Sequence, residues 1–468
     1  MPPIPDSLSL PSPPISRLSI AVVGTGIAGL SAAWLLAQRH DVTLFEKESR
    51  LGGHSNTVEA PLPEGGTIAV DTGFIVYNAP NYPNLVALFD HLGVTTRDTD
   101  MSFAVSADGG GLEYSGSGLG GVLAQPSNAL RPRFWSMMRD LVRFYRTAAK
   151  SLKDPEITAL SLGDFLRRER YGKPFIEDHL LPMGAAIWSA PPAEMEAYPA
   201  AAFIEFFRNH ALLDLGNRPP WRTVVGGSRE YVMRLRAAFA VPPKLGLGVR
   251  RIKRDPSGVI VQDGSGKNHG FDHVVIATHA DEALGLLADP SGEERRLLGA
   301  FKYQANDTWL HRDSDLMPRR RRAWAAWNFL LDRREGRNVP PTVTYWMNRL
   351  QHLETTHNLF VTLNPPRPPR EDLVLERFRY DHPLFNGLAM RAQKELWRLQ
   401  GQGNTWFCGS YFGAGFHEDA LQSGLLCAER LGGVRRPWRV GNESARIAPW
   451  PNDVKGPGGV GMNAMAAQ

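Results

Sequence analysis

The first clear hydrophobic pattern lies between residues 18 and 46. Residues 18–23 form a short, unbroken apolar run, which is typical of a strand that is buried on both faces. An alanine- and leucine-rich stretch with helical character follows, and residues 41–45 form a second short apolar run. The order of these segments predicts a strand, a helix and a parallel strand.

A similar pattern recurs near the C-terminal end, where residues 404–431 predict a strand, a glycine-rich turn and a long helix. Between the two ends, residues 132–153 and 165–213 predict helices, the second stretch being rich in aromatic residues. Residues 221–239 predict a strand, a turn and a helix, and three strand-like runs follow between 248 and 277. Residues 293–400 mix helical and strand patterns, including an alternating strand at 342–346. The whole pattern predicts an α/β protein with α+β insertions.

The turn after the first strand carries glycines in the GxGxxG spacing. Gly24 suits a tight turn, Gly26 lets the backbone approach a pyrophosphate, and Gly29 lets the helix pack closely on the sheet. Glu46 ends the second strand, where an acid is expected to bind ribose hydroxyls. A lone glycine motif is weak evidence, but here it stands between a strand and a helix with the acid in place. The stretch therefore predicts a dinucleotide-binding unit.

The residues after Glu46 narrow this prediction. Arg50, Gly52 and Gly53 follow in an acid-x-x-x-Arg-x-Gly-Gly run. This run resembles the flavin amine oxidase superfamily, which includes amine oxidases, phytoene-desaturase-like enzymes and protoporphyrinogen oxidases. The resemblance implies FAD as the cofactor, with the run wrapping the pyrophosphate and the C-terminal helix pointing at the flavin.

Longer stretches resemble a narrower group, the bacterial predicted NAD/FAD-binding proteins found beside genes similar to cyclopropane-fatty-acid synthases. The stretches are DTGFIVYN (71–78), LPMGAAIWS (181–189), TVVGGSREYV (223–232), TYWMN (344–348), VTLNP (361–365) and GFHEDALQSG (415–424). They cover nearly the whole chain apart from its tails. What this group implies is a flavoprotein that acts on lipid acyl chains.

The cofactor residues and the domain plan follow from the motifs and the resemblance. The predicted cofactor-binding residues are Gly24, Thr25, Gly26, Ile27, Ala28, Gly29, Glu46, Lys47, Arg50, Gly52, Gly53, His54, Gly73, Phe74, Ile75, Val76, Val249, Gly409, Ser410 and Glu418. The predicted segments are a disordered leader (1–17), a Rossmann-like FAD-binding domain (18–78, 220–285 and 401–433), an interleaved substrate domain of helices and sheet (79–219 and 286–400) and a disordered tail (434–468).

The composition excludes some classes of function. The chain of 468 residues is 43% hydrophobic and 22% charged, as in ordinary globular proteins. Its net charge of +5 is too diffuse to indicate nucleic-acid binding, but it suits an anionic cofactor, an acidic substrate or a membrane surface. Two cysteines and no secretory signal favour a cytoplasmic protein, with contact to the inner face of the membrane as an option.

The sequence offers fewer candidates for substrate contact and catalysis than for cofactor binding. Trp188, Tyr345 and Trp346 are the candidates for substrate contact, and His417 and Glu418 are the catalytic candidates because they lie nearest the second cofactor motif. We predict no metal site.

Other residues that could carry chemistry have simpler interpretations. His311, Asp313 and Asp315 alternate like metal ligands, but their setting favours a solvated turn. Cys408 is expected to be a small buried residue and not a covalent flavin anchor. Amine oxidases of the superfamily carry a lysine in the first strand of the substrate domain, which here begins near Lys302. If this register is correct, the matching lysine is missing.

The favoured function is dehydrogenation or desaturation of an apolar, lipid-derived substrate, with hydride transfer to the flavin. An amine oxidase and a non-catalytic flavin-binding protein remain as alternatives, and the oligomeric state stays open. The helix predicted at 132–153 groups Phe134, Met138, Leu141 and Tyr145 on one face beside many basic residues. That face either lies in the headgroups of an anionic bilayer or, as is commoner, packs on the substrate domain.

Overall fold

A computed structural model describes residues 17–214, 216 and 219–447. The strands are β1 (Ser19–Val23), β2 (Asp41–Phe45), β3 (Thr57–Pro61), β4 (Thr67–Asp71), β5 (Val76–Asn78), β6 (Thr96–Thr99), β7 (Phe103–Ala107), β8 (Leu112–Ser115), β9 (Trp221–Val224), β10 (Val249–Asp255), β11 (Gly258–Asp263), β12 (Asn268–Phe271), β13 (His273–Ile276), β14 (Lys302–His311), β15 (Trp327–Leu331), β16 (Thr342–Trp346), β17 (Phe360–Leu363), β18 (Val374–Leu384) and β19 (Thr405–Phe407).

The α-helices alternate with these strands and cluster between β8 and β9. They are α1 (Ile27–Leu36), α2 (Pro83–Leu92), α3 (Gly118–Val122), α4 (Pro132–Ser151), α5 (Leu162–Arg168), α6 (Lys173–Phe175), α7 (Leu181–Trp188), α8 (Pro192–Ala197), α9 (Ala200–Asn209), α10 (Arg229–Ala237), α11 (Ala280–Leu286), α12 (Gly292–Leu298), α13 (Met347–Leu350), α14 (Gly387–Gln393) and α15 (His417–Leu431). Among the described residues, no helix is both long and apolar enough to cross a membrane.

A four-stranded parallel sheet forms the centre of one half of the protein, in the order β19-β13-β1-β2. Its strands come from all three segments that the sequence predicts for the FAD-binding domain. Helices α1 and α15 pack against each other beside this sheet. A Cβ atom on Gly424 would overlap the carbonyl oxygen of Ala28, so glycine is required for this close helix crossing.

A seven-stranded sheet forms the centre of the other half, in the order β18-β14-β17-β16-β15-β7-β8. Adjacent strands in this sheet are antiparallel, except for β15 and β7, which are parallel. Helix α7 packs against β15 and β18, and its apolar side chains join a large core together with those of α4, α5 and α9. The two sheets are thus built from interleaved parts of the chain.

One predicted domain boundary is wrong, because the segment after residue 78 continues the nucleotide-binding half. Leu85, Leu88 and Phe89 of α2 belong to the same apolar core as α1 and α15. Strand β6 pairs with β9, which in turn pairs with β5. Residues 79–99 therefore pack with the half of the protein that contains the parallel sheet. Along the chain, β7 is the first strand of the seven-stranded sheet.

The predicted disordered tail is also wrong for the residues that the structure describes, 434–447. Trp438 stacks on Trp34 with ring centroids 5.9 Å apart. Arg436 is buried and bonds Glu429, and Arg446 forms an ion pair with Asp419. Composition predicts disorder here, but these contacts fix the segment on α15. Residues 1–16 of the predicted leader and 448–468 of the predicted tail lie outside the described residues.

The apolar face of α4 packs into the protein. Phe134, Leu141 and Tyr145 are each less than a tenth exposed, and Met138 is half-buried. This arrangement matches the commoner of the two sequence interpretations. The face predicted to enter a bilayer is therefore not available for that purpose.

Candidate functional site

A single cavity of about 1480 Å³ extends from the parallel sheet to the seven-stranded sheet. Pockets for one drug-sized ligand usually measure about 300–1,000 Å³. The cavity therefore has room for a dinucleotide and for a second molecule beside it.

The glycine turn after β1 forms one wall of this cavity. Gly24 has a φ of +96°, and a Cβ there would lie 2.8 Å from the carbonyl oxygen of Ala277. A Cβ on Gly29 would overlap the carbonyl oxygen of Gly24, so Gly29 serves the helix packing that the sequence predicts. At Gly26, by contrast, a Cβ would meet no atom within 4 Å. The backbone at Gly26 is therefore open to the cavity, and a side chain there would occupy space that a pyrophosphate needs.

Glu46 lies at the end of β2 and faces the turn. One carboxylate oxygen accepts hydrogen bonds from the backbone N–H of Thr25 (2.9 Å) and from its hydroxyl (2.5 Å), and the other accepts from the N–H of Glu48 (3.0 Å). A carboxylate has about four lone-pair positions, so one acceptor position remains for a ribose hydroxyl. Glu46 therefore braces the turn and still fits its predicted role.

The loop that carries the second motif folds back over the turn. The N–H of Gly52 donates to the carbonyl of Thr25 (3.0 Å), and Arg50 donates to the carbonyl of Gly53 (2.8 Å). A Cβ on Gly53 would lie 3.1 Å from the Cα of Gly26. The backbones of the two glycines thus lie in close contact, and both line the cavity, so their backbone groups are accessible to a pyrophosphate there.

The C-terminal turn and the first residue of α15 form the next part of the wall. The imidazole of His417 stacks on Phe74 with ring centroids 3.8 Å apart, and its Nε2 lies 2.8 Å from the hydroxyl of Tyr231. That hydroxyl also makes a short hydrogen bond with Ser55. Burial lowers the pKa of His417 to about 3, so its imidazole is neutral at physiological pH.

The structure brings most of the predicted cofactor residues together. Those that line the cavity are Gly24, Thr25, Gly26, Ile27, Ala28, Glu46, Lys47, Arg50, Gly52, Gly53, His54, Gly73, Phe74, Ile75, Val76, Val249, Gly409 and Ser410. They come from segments up to about 390 residues apart in the chain. Lys47 also forms an ion pair with Glu282, another lining residue.

Glu418 does not line the cavity, so the structure does not support its predicted catalytic and cofactor roles. Its carboxylate is fully buried and accepts from the N–H groups of Asn84 (3.0 Å) and Leu85 (3.0 Å) at the start of α2. Neighbouring residues on a helix point about 100° apart, so His417 reaches the cavity while Glu418 holds α2. This contact is structural.

Trp346 also lies outside the cavity, although it is next to Tyr345, which lines it. Successive residues of a strand point to opposite faces of the sheet, so the two rings cannot both face the cavity. The indole of Trp346 packs edge-on against Trp324 and donates to Asn358 (3.1 Å). Trp188, the remaining substrate candidate, does line the cavity at the end of α7.

Sequence reasoning missed a cluster of aromatic and imidazole rings in the cavity wall. His54 lies within 6 Å of His279, Tyr380 and His382, measured between ring centroids. Burial lowers the pKa of His54 well below its usual range and that of His382 to about 4. An amide N–H of Asn306 donates to Nδ1 of His382 (2.9 Å). These residues come from four distant segments. The sequence predicts His54 for the cofactor site because it follows the second motif, but no local pattern marks the other members of the cluster.

The cavity farther from the glycine turn is mainly apolar, and its polar side chains are those of Ser102, Ser115, His179, Ser189 and His210. Its lining side chains include Met101, Phe103, Tyr114, Val122, Met138, Leu141, Tyr145, Met183, Ala186, Ile187, Trp188, Phe206, Leu212, Trp327, Tyr345 and Phe416. His210 stacks on Phe206, and burial lowers its pKa to about 3. This end of the cavity is suited to an uncharged, apolar occupant.

The strand predicted to lack the superfamily's lysine is β14. Lys302 is exposed at its start and does not line the cavity. Among the described lining residues the one lysine is Lys47, which lies beside the glycine turn. Nothing in the described part of the chain thus supplies a lysine to the apolar end.

The predicted solvated turn after β14 is wrong for His311 and Asp313, which are buried, whereas Asp315 is exposed. His311 lies 2.7 Å from the hydroxyl of Thr362, and the carboxylate of Asp313 bonds Arg367. Burial of Cys408 in the core of the parallel sheet confirms its predicted packing role.

Comparison with known proteins agrees with this geometry. The profile of the flavin-containing amine oxidoreductase family matches residues 27–306. A Mycobacterium tuberculosis protein named as a flavin-containing monoamine oxidase is 27% identical over 58% of this chain and 59% of its own length. A carotenoid phi-ring synthase of Streptomyces griseus is 33% identical over 62% of this chain and 56% of its own length. The matched regions thus span less than three fifths of either relative.

The fold is that of a solved structure, the CLA-producing fatty acid isomerase from P. acnes. It aligns with a TM-score of 0.61 at 17% identity, over 88% of this chain and 98% of the isomerase. This likeness confirms the predicted fold class. The family match identifies FAD as the cofactor, and the glycine cradle, Glu46 and the second loop fit it. The chain belongs to the flavin-containing amine oxidoreductase family.

Proposed function

We propose that this protein is an FAD-dependent oxidoreductase that dehydrogenates an elongated, apolar, lipid-derived substrate. The observation that carries the proposal is the composition of the cavity beyond the glycine turn. Aliphatic and aromatic side chains line it on α4, α7 and α9, and none of the lining residues that the structure describes on these helices is acidic. The resemblance to the bacterial group found beside cyclopropane-fatty-acid-synthase-like genes points to the same substrate class.

An acyl chain fits this lining better than an alkylammonium ion does. Burying an unpaired charge is costly. Of the carboxylates that line the cavity, Glu46 and Glu48 follow β2, Glu282 is paired with Lys47, and Glu376 and Asp381 lie on the edge strand β18. Asp381 is already paired with Arg379. His210 and His417 are neutral at pH 7, so they neither repel nor hold a cation strongly.

The reaction removes a hydride from one carbon and a proton from its neighbour, which leaves a double bond between them. When bound, the flavin supplies the two-electron acceptor at N5. A separate oxidant must then take up the two electrons, and the proton leaves to solvent or to a base.

His417 is best placed to position the reactants. With a pKa of about 3 its imidazole is a weak base, so abstraction of a carbon-bound proton is not its task. Its stacking on Phe74 and its hydrogen bond with Tyr231 fix the ring at the start of α15. The positive end of this helix favours negative charge at the same point of the cavity.

The experiment is anaerobic titration of the purified, flavin-loaded protein with fatty acids, acyl esters and primary amines, followed by visible absorbance. We expect an acyl compound to bleach the flavin. In Met183→Trp the larger side chain fills the apolar end, so bleaching should slow while the flavin spectrum is kept. Trp346→Phe, outside the cavity, is the matched control and should behave as the wild type does.

Each alternative has its own outcome. Bleaching by primary amines, with acyl compounds inert, would replace the proposal with an amine oxidase. A flavin that dithionite reduces but that neither class of compound reduces would indicate a non-catalytic flavin-binding protein.

A further inference from the structure

We propose that the protein docks on an anionic lipid bilayer through a docking edge made of the exposed side chains of α3, the loop after it and α4. The docking edge consists of Leu119, Leu123, Leu130, Trp135, Arg139, Arg146 and Lys150. It is distinct from the buried apolar face of α4. The inference concerns a partner surface and stands whether or not the substrate is a lipid.

The docking edge concentrates exposed large apolar side chains. Leu119 is 83% exposed, Leu130 86%, Trp135 51% and Leu123 37%, and all four lie within seventeen consecutive residues. The indole of Trp135 donates to the carbonyl of Ala129 (2.9 Å), which holds the ring beside Leu130. Large apolar side chains that are exposed and grouped in this way are typical of a binding surface.

Positive charge lies on the same edge. Residues 118–153 contain seven basic side chains and one acid, Asp140, which is buried. Trp135, Arg139, Arg146 and Lys150 follow each other at helical spacing along the solvent-facing side of α4. Tryptophan beside a row of basic residues is the pattern of surfaces that lie at a headgroup layer.

The other two arginines of α4 are occupied elsewhere. Arg133 pairs with Asp178, and Arg143 donates to the carbonyl groups of Glu169 and Arg170. Arg139 is three-quarters exposed, and it lies 3.4 Å from the carboxylate of its neighbour Asp140. The charges of the docking edge are therefore directed outward and available to anionic lipids.

The docking edge is continuous with the apolar end of the cavity. Val122 lies between Leu119 and Leu123 in sequence, and Met138 follows Trp135 by nearly one helical turn; both line the cavity. Val122 and Met138 also pack on the same apolar cluster around Tyr114. An apolar molecule that leaves a bilayer at the docking edge would therefore meet the cavity wall directly.

We take the partner to be a bilayer because the docking edge combines exposed apolar side chains with a row of basic side chains, and an anionic headgroup layer accommodates both. Each basic residue near an anionic surface contributes about fivefold to binding. Exchanging two of them for acids should therefore weaken binding by at least about twentyfold.

The test is co-sedimentation of the flavin-loaded protein with vesicles of phosphatidylcholine alone or with 30% phosphatidylserine (roughly the anionic range of cytoplasmic leaflets), at low and high salt. The variants are Leu130→Ser with Trp135→Ser, and Arg139→Glu with Arg146→Glu. Met233→Ser with Leu388→Ser and Arg295→Glu with Lys394→Glu are the matched controls, because these side chains are exposed at other places. Melting temperature and flavin content show whether each variant is folded.

We expect the wild type to bind the phosphatidylserine vesicles and salt to weaken this binding. The affinity for these vesicles should fall by at least about twentyfold in the charge variant, and it should fall at both salt concentrations in the apolar variant. The controls should bind as the wild type does. Absence of binding at low salt, equal binding to both vesicles, or equal losses in the controls would overturn the proposal. The proposal would also be overturned if the wild type self-associates, the docking-edge variants abolish that self-association, and vesicles bind neither the wild type nor the variants. Because sedimentation needs no substrate, its result is independent of the proposed reaction.

Discussion

Replacing Gly26 with valine separates binding of FAD from stability of the fold. A Cβ at this position meets no protein atom within 4 Å, and its φ of −61° is open to any residue. The new side chain therefore enters the cavity and not the core. Gly26 is also the N-cap of α1, where exchange of glycine for an apolar residue costs up to about 1 kcal/mol. We expect the cofactor-free variant to fold with nearly the stability of the wild type.

The loss of FAD affinity should be much larger. A branched side chain at Gly26 keeps a pyrophosphate from the N–H groups at the start of α1. Hydrogen bonds to a charged group contribute about 1.5–3 kcal/mol each, so the loss of two corresponds to about 3–6 kcal/mol. This energy is a decrease of roughly 10²–10⁴-fold in affinity.

The assay compares the ratio of flavin to protein absorbance after purification, the dissociation constant for added FAD, and the melting temperature of the cofactor-free protein. Gly285→Val is a matched control, because Gly285 is exposed on α11 and a Cβ there also meets no atom within 4 Å. Gly29→Ala is the opposite control and should unfold the protein by steric overlap with Gly24. Full flavin occupancy in Gly26→Val would refute the assignment of this turn to the pyrophosphate.

Three further predictions concern the helix crossing, the imidazole in the cavity and a buried histidine. Gly424→Ala places a methyl group against a carbonyl oxygen of α1 and should lower the free energy of unfolding by about 3 kcal/mol, measured by denaturant titration. His417→Phe keeps the stacking on Phe74 but loses the hydrogen bond with Tyr231, so flavin should stay bound while its reduction by substrate slows; an unchanged rate would remove His417 from the site. His311 has a pKa of about 4 when folded and about 6.5 when unfolded, so the unfolded chain binds more protons between these values and stability falls as pH decreases from 6.5 to 4. That decrease should approach about 3 kcal/mol in the cofactor-free protein and should be shallower in His311→Gln; parallel curves would contradict the burial argument.

The positions of the cofactor residues were largely predictable because the constraints on them are local. A tight turn, a close backbone approach and an acid at a strand end each demand a residue type at a fixed spacing. The structure places Gly24, Gly26, Glu46 and the Arg50–Gly53 loop together along one wall of the cavity.

The choice between neighbouring residues was not predictable. His417 reaches the cavity and Glu418 does not, and Tyr345 reaches it while Trp346 does not. The sequence places each pair in the right element, but the direction of a side chain depends on how the whole helix or strand is rotated against distant elements. The cluster around His54 likewise exists only because β18 lies at the edge of its sheet beside the glycine loop.

By itself, the sequence determined the strand–turn–helix units at both ends, the FAD site and the fold class. The period of the hydrophobic pattern and the spacing of the glycines determine these features, and both are set within a few residues of the chain. The tertiary structure decided where residues 79–99 and 434–447 belong, because desolvated contacts such as Trp34 with Trp438 and Asp419 with Arg446 join parts far apart in the chain. It also decided that α4 turns its apolar face inward and leaves other side chains at the surface. Burial is a property of the assembled core, and the energy of a contact between distant segments cannot be read from the pattern of either one.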